Sequence, residues 1–224
     1  MKRLGINIDH VATLRNARGE SHPNIIDIAK IVNKAGANSI TVHLREDRRH
    51  INDNDLKELC RKKFSINMEM AANLKMLKIA LNHKPEFVCL VPEKRNEITT
   101  EGGLNLKKNF QLIKKIVKTL NEKKIRTSLF IDPSISNLIL TKKIGAKCVE
   151  LHTGKISRLI KSNKKFKKEF NKINKCSYFA KRNNIEIHAG HGLDYKTTKI
   201  LAKITHITEY NIRHFVIGES IKIG

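Results

Sequence analysis

The stretch IGAKCVELHT at residues 144–153 contains the pattern on which the fold prediction depends. Gly145 follows a helical pattern and precedes a short apolar run, as a glycine that ends a helix should. The run then closes on two ionisable residues, Glu150 and His152. A strand buried on both faces should be almost purely apolar, and charged side chains are seldom buried without partners. Because strand side chains alternate, we expect Glu150 and His152 on the same face.

The same succession of strand, loop and helix recurs along the whole chain. Candidate strands cover residues 4–9, 39–44, 65–70, 87–92, 126–132, 148–153, 186–190 and 211–217. Helical patterns separate them, and this alternation predicts a parallel sheet. Eight strand–helix units favour closure into a (β/α)₈ TIM barrel over an open doubly wound sheet. No linker divides the chain, so residues 1–224 are expected to form one catalytic domain.

The end of the chain departs from this pattern. Gly224 follows soon after the last candidate strand, which would contain His214. We therefore expect a truncated final helix. The exposed base of the first and last strands would then need a partner subunit or an inserted helix to cover it.

Polar residues at the strand ends predict the position of the active site, because active sites of such barrels lie at the carboxyl ends of the strands. The residues concerned are Asn7, Asp9, His10, His43, Arg45, Glu69, Glu150, His152 and His191. Their convergence on one shared site is the main functional expectation.

The net charge of the chain is strongly positive, with 45 Lys and Arg against 21 Asp and Glu, a formal charge of +24. Such a balance invites a nucleic-acid interpretation. The densest basic run, residues 161–175, carries Phe166, Phe170 and Ile173 at the spacing of an amphipathic helix. Solvated helix faces are therefore the favoured explanation, attraction of anionic small molecules is the second, and nucleic-acid binding is the third. We expect no nucleic-acid partner.

Several other classes of protein are not favoured. No stretch resembles a membrane span of about 20 apolar residues, and the amino terminus is too soon polar for a secretory signal, so we expect a cytoplasmic location and no membrane partner. The four cysteines are far apart and are expected to be reduced core residues. Asp9, His43 and His191 could converge on a divalent ion, but the helical zinc and di-iron spacings are absent, and we expect no metal.

Two segments leave strand ends with several arginines. Residues 43–50 carry Arg45, Arg48 and Arg49, and residues 13–19 carry Arg15 and Arg18. Guanidinium groups suit phosphate and carboxylate oxygens. The alternative for each segment is a solvated loop held by ion pairs.

Three further features suit acid–base chemistry or anion binding. Glu69 ends an apolar strand, where burial can raise the pKa of a carboxylate toward that of a general base; an ion pair with a neighbouring strand is the alternative. His191 lies between Gly190 and Gly192, where it is either a proton-transfer group or an incidental turn residue. The long loop 92–103, which contains Thr99, is either an anion-binding loop or a plain connection.

These motifs together resemble one family. The segment GINIDHVATLRNARG at 5–19 closely resembles the opening of the pyridoxine 5'-phosphate synthase family, and so do TVHLREDRRHI at 41–51, LVPEKR at 90–95, TTEGG at 99–103 and AGHGL at 189–193. The resemblance implies a barrel enzyme of vitamin B6 biosynthesis that needs no metal or redox cofactor. It also implies condensation of 3-amino-2-oxopropyl phosphate with 1-deoxy-D-xylulose 5-phosphate, and assembly as a homo-octamer.

The resemblance also implies roles for individual residues. The implied proton acceptors are His43 and Glu69, the implied proton donor is His191, and Glu150 is implied to stabilise transition-state charge. The positions implied to hold the aminoketone phosphate are Asn7, Arg18, Gly192 and His214. Those implied to hold the deoxyxylulose phosphate are Asp9, His10, Arg45, His50 and Thr99.

The sequence departs from the family at Arg213, where the family usually has glycine, and in its short carboxyl terminus. An Arg213 side chain would either crowd the site or supply a new cation, so we include it among the substrate-binding candidates. Because of these departures, a degenerate barrel that binds sugar phosphates without turnover is the alternative function.

Overall fold

The computed structural model describes residues 1–93 and 102–223. Eight parallel strands follow one another in chain order around a closed barrel, in which the first strand pairs with the last. The strands are β1 (Arg3–Asn7), β2 (Ser39–His43), β3 (Ile66–Ala71), β4 (Phe87–Val91), β5 (Arg126–Ile131), β6 (Cys148–His152), β7 (Glu186–Gly190) and β8 (Ile207–Ile212). The predicted (β/α)₈ barrel is confirmed.

Helices cover the outside of the barrel. Within the described residues they are α1 (Asp9–Arg18), α2 (Ile25–Lys34), α3 (Asp53–Arg61), α4 (Leu74–His83), α5 (Phe110–Glu122), α6 (Ile135–Ile144), α7 (Gly154–Lys161), α8 (Lys167–Arg182), α9 (Tyr195–Leu201) and α10 (His214–Ile223). Two helices, rather than one, follow β1 and β6. In both places the first helix begins at or next to the strand end and therefore borders the barrel rim.

Local sequence fixes the helix ends. Asn52 accepts a hydrogen bond from the amide of Asp55, whose side chain accepts one in return, so the two form a capping box at the start of α3. Gly145 ends α6 with a left-handed φ of 91°, as its position between a helical pattern and a strand predicted. The apolar stripe of α5, formed by Ile113, Val117 and Leu120, packs in the fully buried layer between helix and barrel.

The prediction for the last strand was wrong. The eighth strand is Ile207–Ile212 rather than 211–217, and His214 begins α10 instead of lying in the strand. The expected truncation of the final helix depended on that placement, and the structure instead has a helix of ten residues after β8. The helix packs against α1, although none of its residues is buried.

Two further findings concern the cysteines and the helices. Cys89, Cys148 and Cys176 are buried, Cys60 is half-buried, and all four are free thiols. Among the described residues, no helix combines the length and the apolar character that crossing a bilayer requires.

Candidate active site

A cavity of about 600 Å³ opens at the carboxyl ends of the strands. Every strand of the barrel contributes to its wall, either by its last residues or by the residue that follows. The lining residues are Asn7, His10, Thr13, His43, His50, Glu69, Val91, Phe130, Glu150, Lys161, His191, Gly192, Leu193, Asn211, Ile212, Arg213, His214 and Phe215. The cavity therefore gathers residues from both ends of the sequence.

Most of the predicted site residues lie together in this wall, and five do not. His152 ends β6 without lining the cavity. Asp9 is completely buried behind it, and Arg45 is buried with its Nε 3.3 Å from Asp47 Oδ1. Arg18 lies outside the cavity, with 73% of its side chain exposed and its guanidinium 3.3 Å from Glu20. Thr99 lies outside the described residues.

His43 is held between two carboxylates. Its Nδ1 lies 3.8 Å from Glu69 Oε2, and its Nε2 lies 3.5 Å from Glu93 Oε2. Neither His43 Nε2 nor Glu93 Oε2 has a hydrogen-bond partner within the described residues, although both are buried. The other Glu93 oxygen accepts a hydrogen bond of 2.8 Å from the amide of Glu46, which fixes the carboxylate in place.

These two carboxylates are shifted in opposite directions. Burial raises the pKa of Glu69 above its ordinary value, and the charge of His43 opposes that rise. Burial opposes the shift of Glu93, but the His43 imidazole beside it and the hydrogen bond from the Glu46 amide lower its pKa. Glu69 is therefore the better proton acceptor near neutral pH, and Glu93 remains an anion beside the imidazole.

Glu93 was not among the predicted site residues, although it lies within the 90–95 motif. The available signal was the one used elsewhere, a carboxylate directly beyond a strand end. Asn211, near the end of β8, was also missed as a site residue, because it was taken as the start of the last strand.

Asp9, which is buried behind the cavity wall, makes hydrogen bonds to three site residues. Its Oδ1 accepts a 2.8 Å hydrogen bond from the backbone amide of His43, and its Oδ2 accepts one of 3.2 Å from Arg213 Nη1. Its own amide donates to Asn7 Oδ1 at 2.9 Å. A single buried carboxylate thus links the ends of β1, β2 and β8.

Glu150 lies deep in the cavity. Its Oε2 accepts a hydrogen bond of 2.7 Å from Asn211 Nδ2, and a side chain at Gly190 would collide with its carboxyl group. Burial, followed by the nearby charge of Glu69, raises the pKa of Glu150 well above its ordinary value. A carboxyl group with its pKa raised in this way keeps its proton to higher pH than usual, and the protonated form can donate a hydrogen bond.

Four imidazoles surround the opening. His10 lies 5.4 Å from His214 and 6.4 Å from His50, measured between ring centroids. Burial lowers the pKa of His50 to about 4 and that of His191 to about 4, and the charge of Arg213 contributes to both shifts. Neutral rings beside one guanidinium can bind an anionic group and become protonated when it arrives.

A second group of ionisable side chains lies at the opposite end of the barrel. Ligand atoms of Glu186, His188 and Glu209 lie within 4.8 Å of one another, the one such set of three in the described residues. However, Arg3 Nε lies 2.8 Å from Glu209 and Arg126 Nη1 lies 3.3 Å from Glu186. Because guanidinium groups already occupy the carboxylates, this set resembles an ion-pair network more than a metal site.

A closed (β/α)₈ barrel whose carboxyl rim carries shifted carboxylates and imidazoles belongs to the barrel enzymes that carry out acid–base chemistry on small ligands. The family model described as pyridoxal phosphate biosynthesis protein PdxJ matches residues 4–224, and the chain belongs to that family.

Named relatives of this chain are pyridoxine 5'-phosphate synthases, which is consistent with the family match. The pyridoxine 5'-phosphate synthase of Pelagibacter ubique is 59% identical, over 100% of this chain and 94% of that protein. The one of Zymomonas mobilis is 49% identical, over 99% of this chain and 86% of that protein.

Solved structures support the fold alone. A 3-keto-L-gulonate-6-phosphate decarboxylase from Vibrio cholerae matches with a TM-score of 0.62 at 10% identity, over 95% of this chain and 88% of that one.

Proposed function

We propose that this protein is a pyridoxine 5'-phosphate synthase. It condenses 3-amino-2-oxopropyl phosphate with 1-deoxy-D-xylulose 5-phosphate to pyridoxine 5'-phosphate, inorganic phosphate and water. The observation that carries the proposal is the meeting of His43, Glu69, Glu150 and His191 in one cavity of a PdxJ-family chain. Amine addition, loss of water and phosphate, and ring closure each move protons, so the reaction needs more than one base and an acid.

The basic half of the site is His43 with its two carboxylates. Glu69 and His43 are the proton acceptors, because Glu69 has a raised pKa and faces the imidazole. Glu93 lies on the other side of the ring and orients His43. This division gives the neighbouring carboxylates separate roles, one in proton transfer and one in fixed charge.

The acidic half of the site consists of Glu150 and His191. The protonated Glu150 carboxyl, held by Asn211, stabilises negative charge that develops on an intermediate. His191 donates a proton to a leaving oxygen. The charge of a bound phosphate compensates the burial that keeps the free imidazole neutral.

Phosphate binding is assigned to the remaining wall residues. Asn7, Gly192 and His214 hold the aminoketone phosphate, and His10 and His50 hold the deoxyxylulose phosphate. Asp9 acts indirectly, through the His43 amide and Arg213. Arg213 supplies an added cation at the rim. The same proposal assigns Arg45 and Thr99 to the deoxyxylulose phosphate and Arg18 to the aminoketone phosphate.

The direct test is to incubate the purified protein with both phosphates and to measure pyridoxine 5'-phosphate and released phosphate. A His43→Ala variant is the control for contaminating activity. Folded protein that binds both substrates and forms no product would instead support the degenerate sugar-phosphate-binding barrel. A salt-sensitive shift of RNA or DNA that the substrates do not relieve would support the nucleic-acid alternative.

The assembly and location are part of the same proposal. We infer one catalytic domain over residues 1–224, a homo-octamer, a cytoplasmic location, and catalysis without metal or redox cofactor. Exposed apolar side chains on the adjoining helices α1 and α10 support self-association, since Leu14 is 60%, Ile221 83% and Ile223 67% exposed. Light scattering of the purified protein tests the octamer, and a monomer at assay concentration would contradict it.

A further inference from the structure

His152 is a buried histidine that the mechanism above does not use. It ends β6, is 7% exposed, and does not line the cavity. Its Nδ1 lies 3.1 Å from Asp132 Oδ1. Its Nε2 is buried and has no hydrogen-bond partner within the described residues. A buried polar atom without a partner needs an explanation, because leaving it unpaired costs stability.

The unpartnered edge of His152 faces the loop that carries His191. The two ring centroids are 4.8 Å apart, with the planes inclined at 60°. A Cβ atom added at Gly154 would lie 2.7 Å from both His152 Nε2 and His191 Cδ2. The two imidazoles therefore pack against the α-carbon of Gly154, and any side chain at this position would separate them.

The backbone of His191 is held in a conformation that few residues other than glycine adopt. Its φ is +77°, a region that persists where the surroundings enforce it and that is common at functional sites. Thr153 Oγ1, directly after His152, donates to the carbonyls of Gly190 at 2.7 Å and His191 at 2.8 Å. Lys161 Nζ donates to the Gly192 carbonyl at 2.8 Å, and Ser157 donates to the same oxygen. Side chains of the segment from His152 to Lys161 thus hold the backbone of the His191 loop in place.

We propose that His152 and Asp132 are positioning residues for His191. Asp132 accepts the Nδ1 proton of His152, which leaves the Nε2 lone pair free beside the His191 ring, and the contact between the two rings fixes the orientation of His191 over the cavity. The inference rests on the proposed function, in which His191 donates a proton to substrate. Behind His191, it assigns a supporting role to His152 at the end of β6 and to Asp132 directly after β5, which makes such a donation possible.

The charges around His191 explain why such support is needed. Besides burial, the positive groups that lower its pKa come from three elements: His152 on β6 when it is protonated, Arg158 and Lys161 on α7, and Arg213 after β8. Burial also lowers the pKa of His152, and the bond to Asp132 opposes that shift. His152 is the member of this set that can be neutral and offer a lone pair, which favours protonation of His191 once a substrate phosphate is present.

The experiment compares His152→Asn, His152→Gln and Asp132→Ala with the parent enzyme. The shorter asparagine side chain would keep the bond to Asp132 but would not reach His191, whereas a glutamine extends to the Nε2 position. We expect kcat to fall by about 10- to 100-fold in His152→Asn, the range for loss of a residue that orients a functional group. KM for both phosphates should stay unchanged, and His152→Gln should recover part of the rate. Asp132→Ala should show the same effect in weaker form.

Titration of the His191 ring by NMR, with inorganic phosphate present, gives a readout that does not depend on turnover. Bound phosphate should raise the pKa of His191 from its value of about 4. Loss of the neighbouring lone pair in His152→Asn should lower this phosphate-bound pKa, because the protonated ring loses a negative partial charge beside it. A rise would mean that His152 acts as a cation beside His191, and that result would overturn the inference.

His206→Asn is the matched control for both measurements. His206 makes an edge contact of the same 4.8 Å with Tyr178, outside the cavity. This variant should leave both kcat and the His191 titration unchanged.

The outcomes separate this inference from the proposed function. A parent enzyme that forms no product contradicts the proposed function, while the titration still reports on His152. An active parent whose kcat and His191 titration are unchanged in folded His152→Asn overturns the inference. If His152→Asn does not fold, Asp132→Ala decides in its place, because 55% of the Asp132 side chain is exposed and its truncation leaves the packing intact. Unchanged kcat and titration in that variant overturn the inference equally.

Discussion

The two ends of the barrel contain the same kinds of residue in different arrangements. At the base, a network of contacts links Arg3, Arg126, Glu186, His188 and Glu209. They include 2.7 Å between His188 Nε2 and Glu186, 2.8 Å between Arg3 Nε and Glu209, and 3.5 Å between Arg126 Nη2 and Glu209. At the rim, the carboxylates approach His43 only to 3.5 and 3.8 Å. Guanidinium groups pair with the carboxylates at the base, whereas Glu69 and Glu150 at the rim line the cavity.

The pKa directions follow from this difference. At the base, the bond from His188 lowers the pKa of Glu186 to about 2, with Arg3 adding to the effect. Burial opposes the shift of Glu209, but His188, Arg3 and Arg126 lower its pKa. At the rim, burial raises the pKa of Glu69 and of Glu150, whereas Glu93, beside His43, has a lowered pKa. Paired carboxylates thus stabilise the barrel as fixed anions, and poorly paired ones are ready to exchange protons.

The largest expected effect tests the rim. Glu69→Gln removes the proton acceptor and keeps the shape of the side chain, so we expect kcat to fall by about 10²- to 10⁴-fold. The thermal unfolding midpoint near neutral pH should not fall, because a neutral amide replaces a carboxylate whose ionisation burial disfavours. Steady-state kinetics and calorimetry check the two expectations. Glu122→Gln, at an exposed pair with Lys118 on α5, is the control and should match the parent in both. A near-normal rate in Glu69→Gln would remove this residue from the mechanism.

The base should show the reverse behaviour. Glu209 is 2% exposed, and Glu209→Gln would remove one of the two carboxylates that Arg3, Arg126 and His188 share, leaving Glu186 as the other. Removing one partner from a buried ion pair costs about 3–5 kcal/mol. We expect a loss below this range in the free energy of unfolding, because Glu186 still pairs with these cations, with kcat nearly unchanged in the protein that remains folded. Denaturant unfolding measures the first, and an assay at low temperature measures the second. A stable Glu209→Gln variant with low kcat would show that the two ends are not independent.

The same comparison explains which parts of the fold were predictable. Seven strands were placed within one or two residues, because apolar runs with polar ends and helix-ending residues such as Gly145 mark them clearly. The eighth was displaced because Thr208 and Glu209 lie within β8. Glu209 belongs to the network at the base, and its partners Arg3 and Arg126 come from distant strands. A charge compensated by residues so far away in sequence makes a strand resemble a loop.

The candidate site was predictable to the extent that active sites of such barrels lie at the carboxyl ends of the strands. Strand-end position brought His43, Glu69, Glu150 and His191 into one expected site, and the structure places them around one cavity. Position alone does not separate a side chain that enters a cavity from one that turns to solvent, as Arg18 does. It also does not reveal contacts across strands, so Glu93 beside His43 and His152 beside His191 became visible only in three dimensions.

A smaller effect is expected from Arg213. It lies at the rim, but its guanidinium is paired with a carboxylate, as those of Arg3 and Arg126 are at the base. Its Nη1 holds Asp9 at 3.2 Å while the side chain still lines the cavity. We expect Arg213→Gln to raise KM for a phosphate substrate by about tenfold, the loss of about 1.4 kcal/mol of binding, with a smaller change in kcat. Arg61→Gln, at an exposed pair with Glu58, is the control. An unchanged KM would mean that Arg213 serves Asp9 alone.

The smallest effect concerns the dependence of stability on pH, and here the two ends should oppose each other. Glu186 and Glu209 have lowered pKa values in the folded state, so the stability they contribute is present above the ordinary glutamate value of 4.5 and is lost as the pH falls toward about 2. Glu69 has a raised pKa, so its contribution is present below 4.5 and is lost as the pH rises through the raised value.

Unfolding midpoints measured across this pH range therefore distinguish the ends. Glu209→Gln should flatten the acid side of the curve, since the lost carboxylate no longer has to be protonated when the protein unfolds in acid. Glu69→Gln should leave the acid side unchanged and lessen the decline at higher pH. If both variants changed the same side of the curve, the division of the barrel into a paired base and a poised rim would be wrong, because the sign of each change depends only on whether folding lowers or raises the pKa of the carboxyl group.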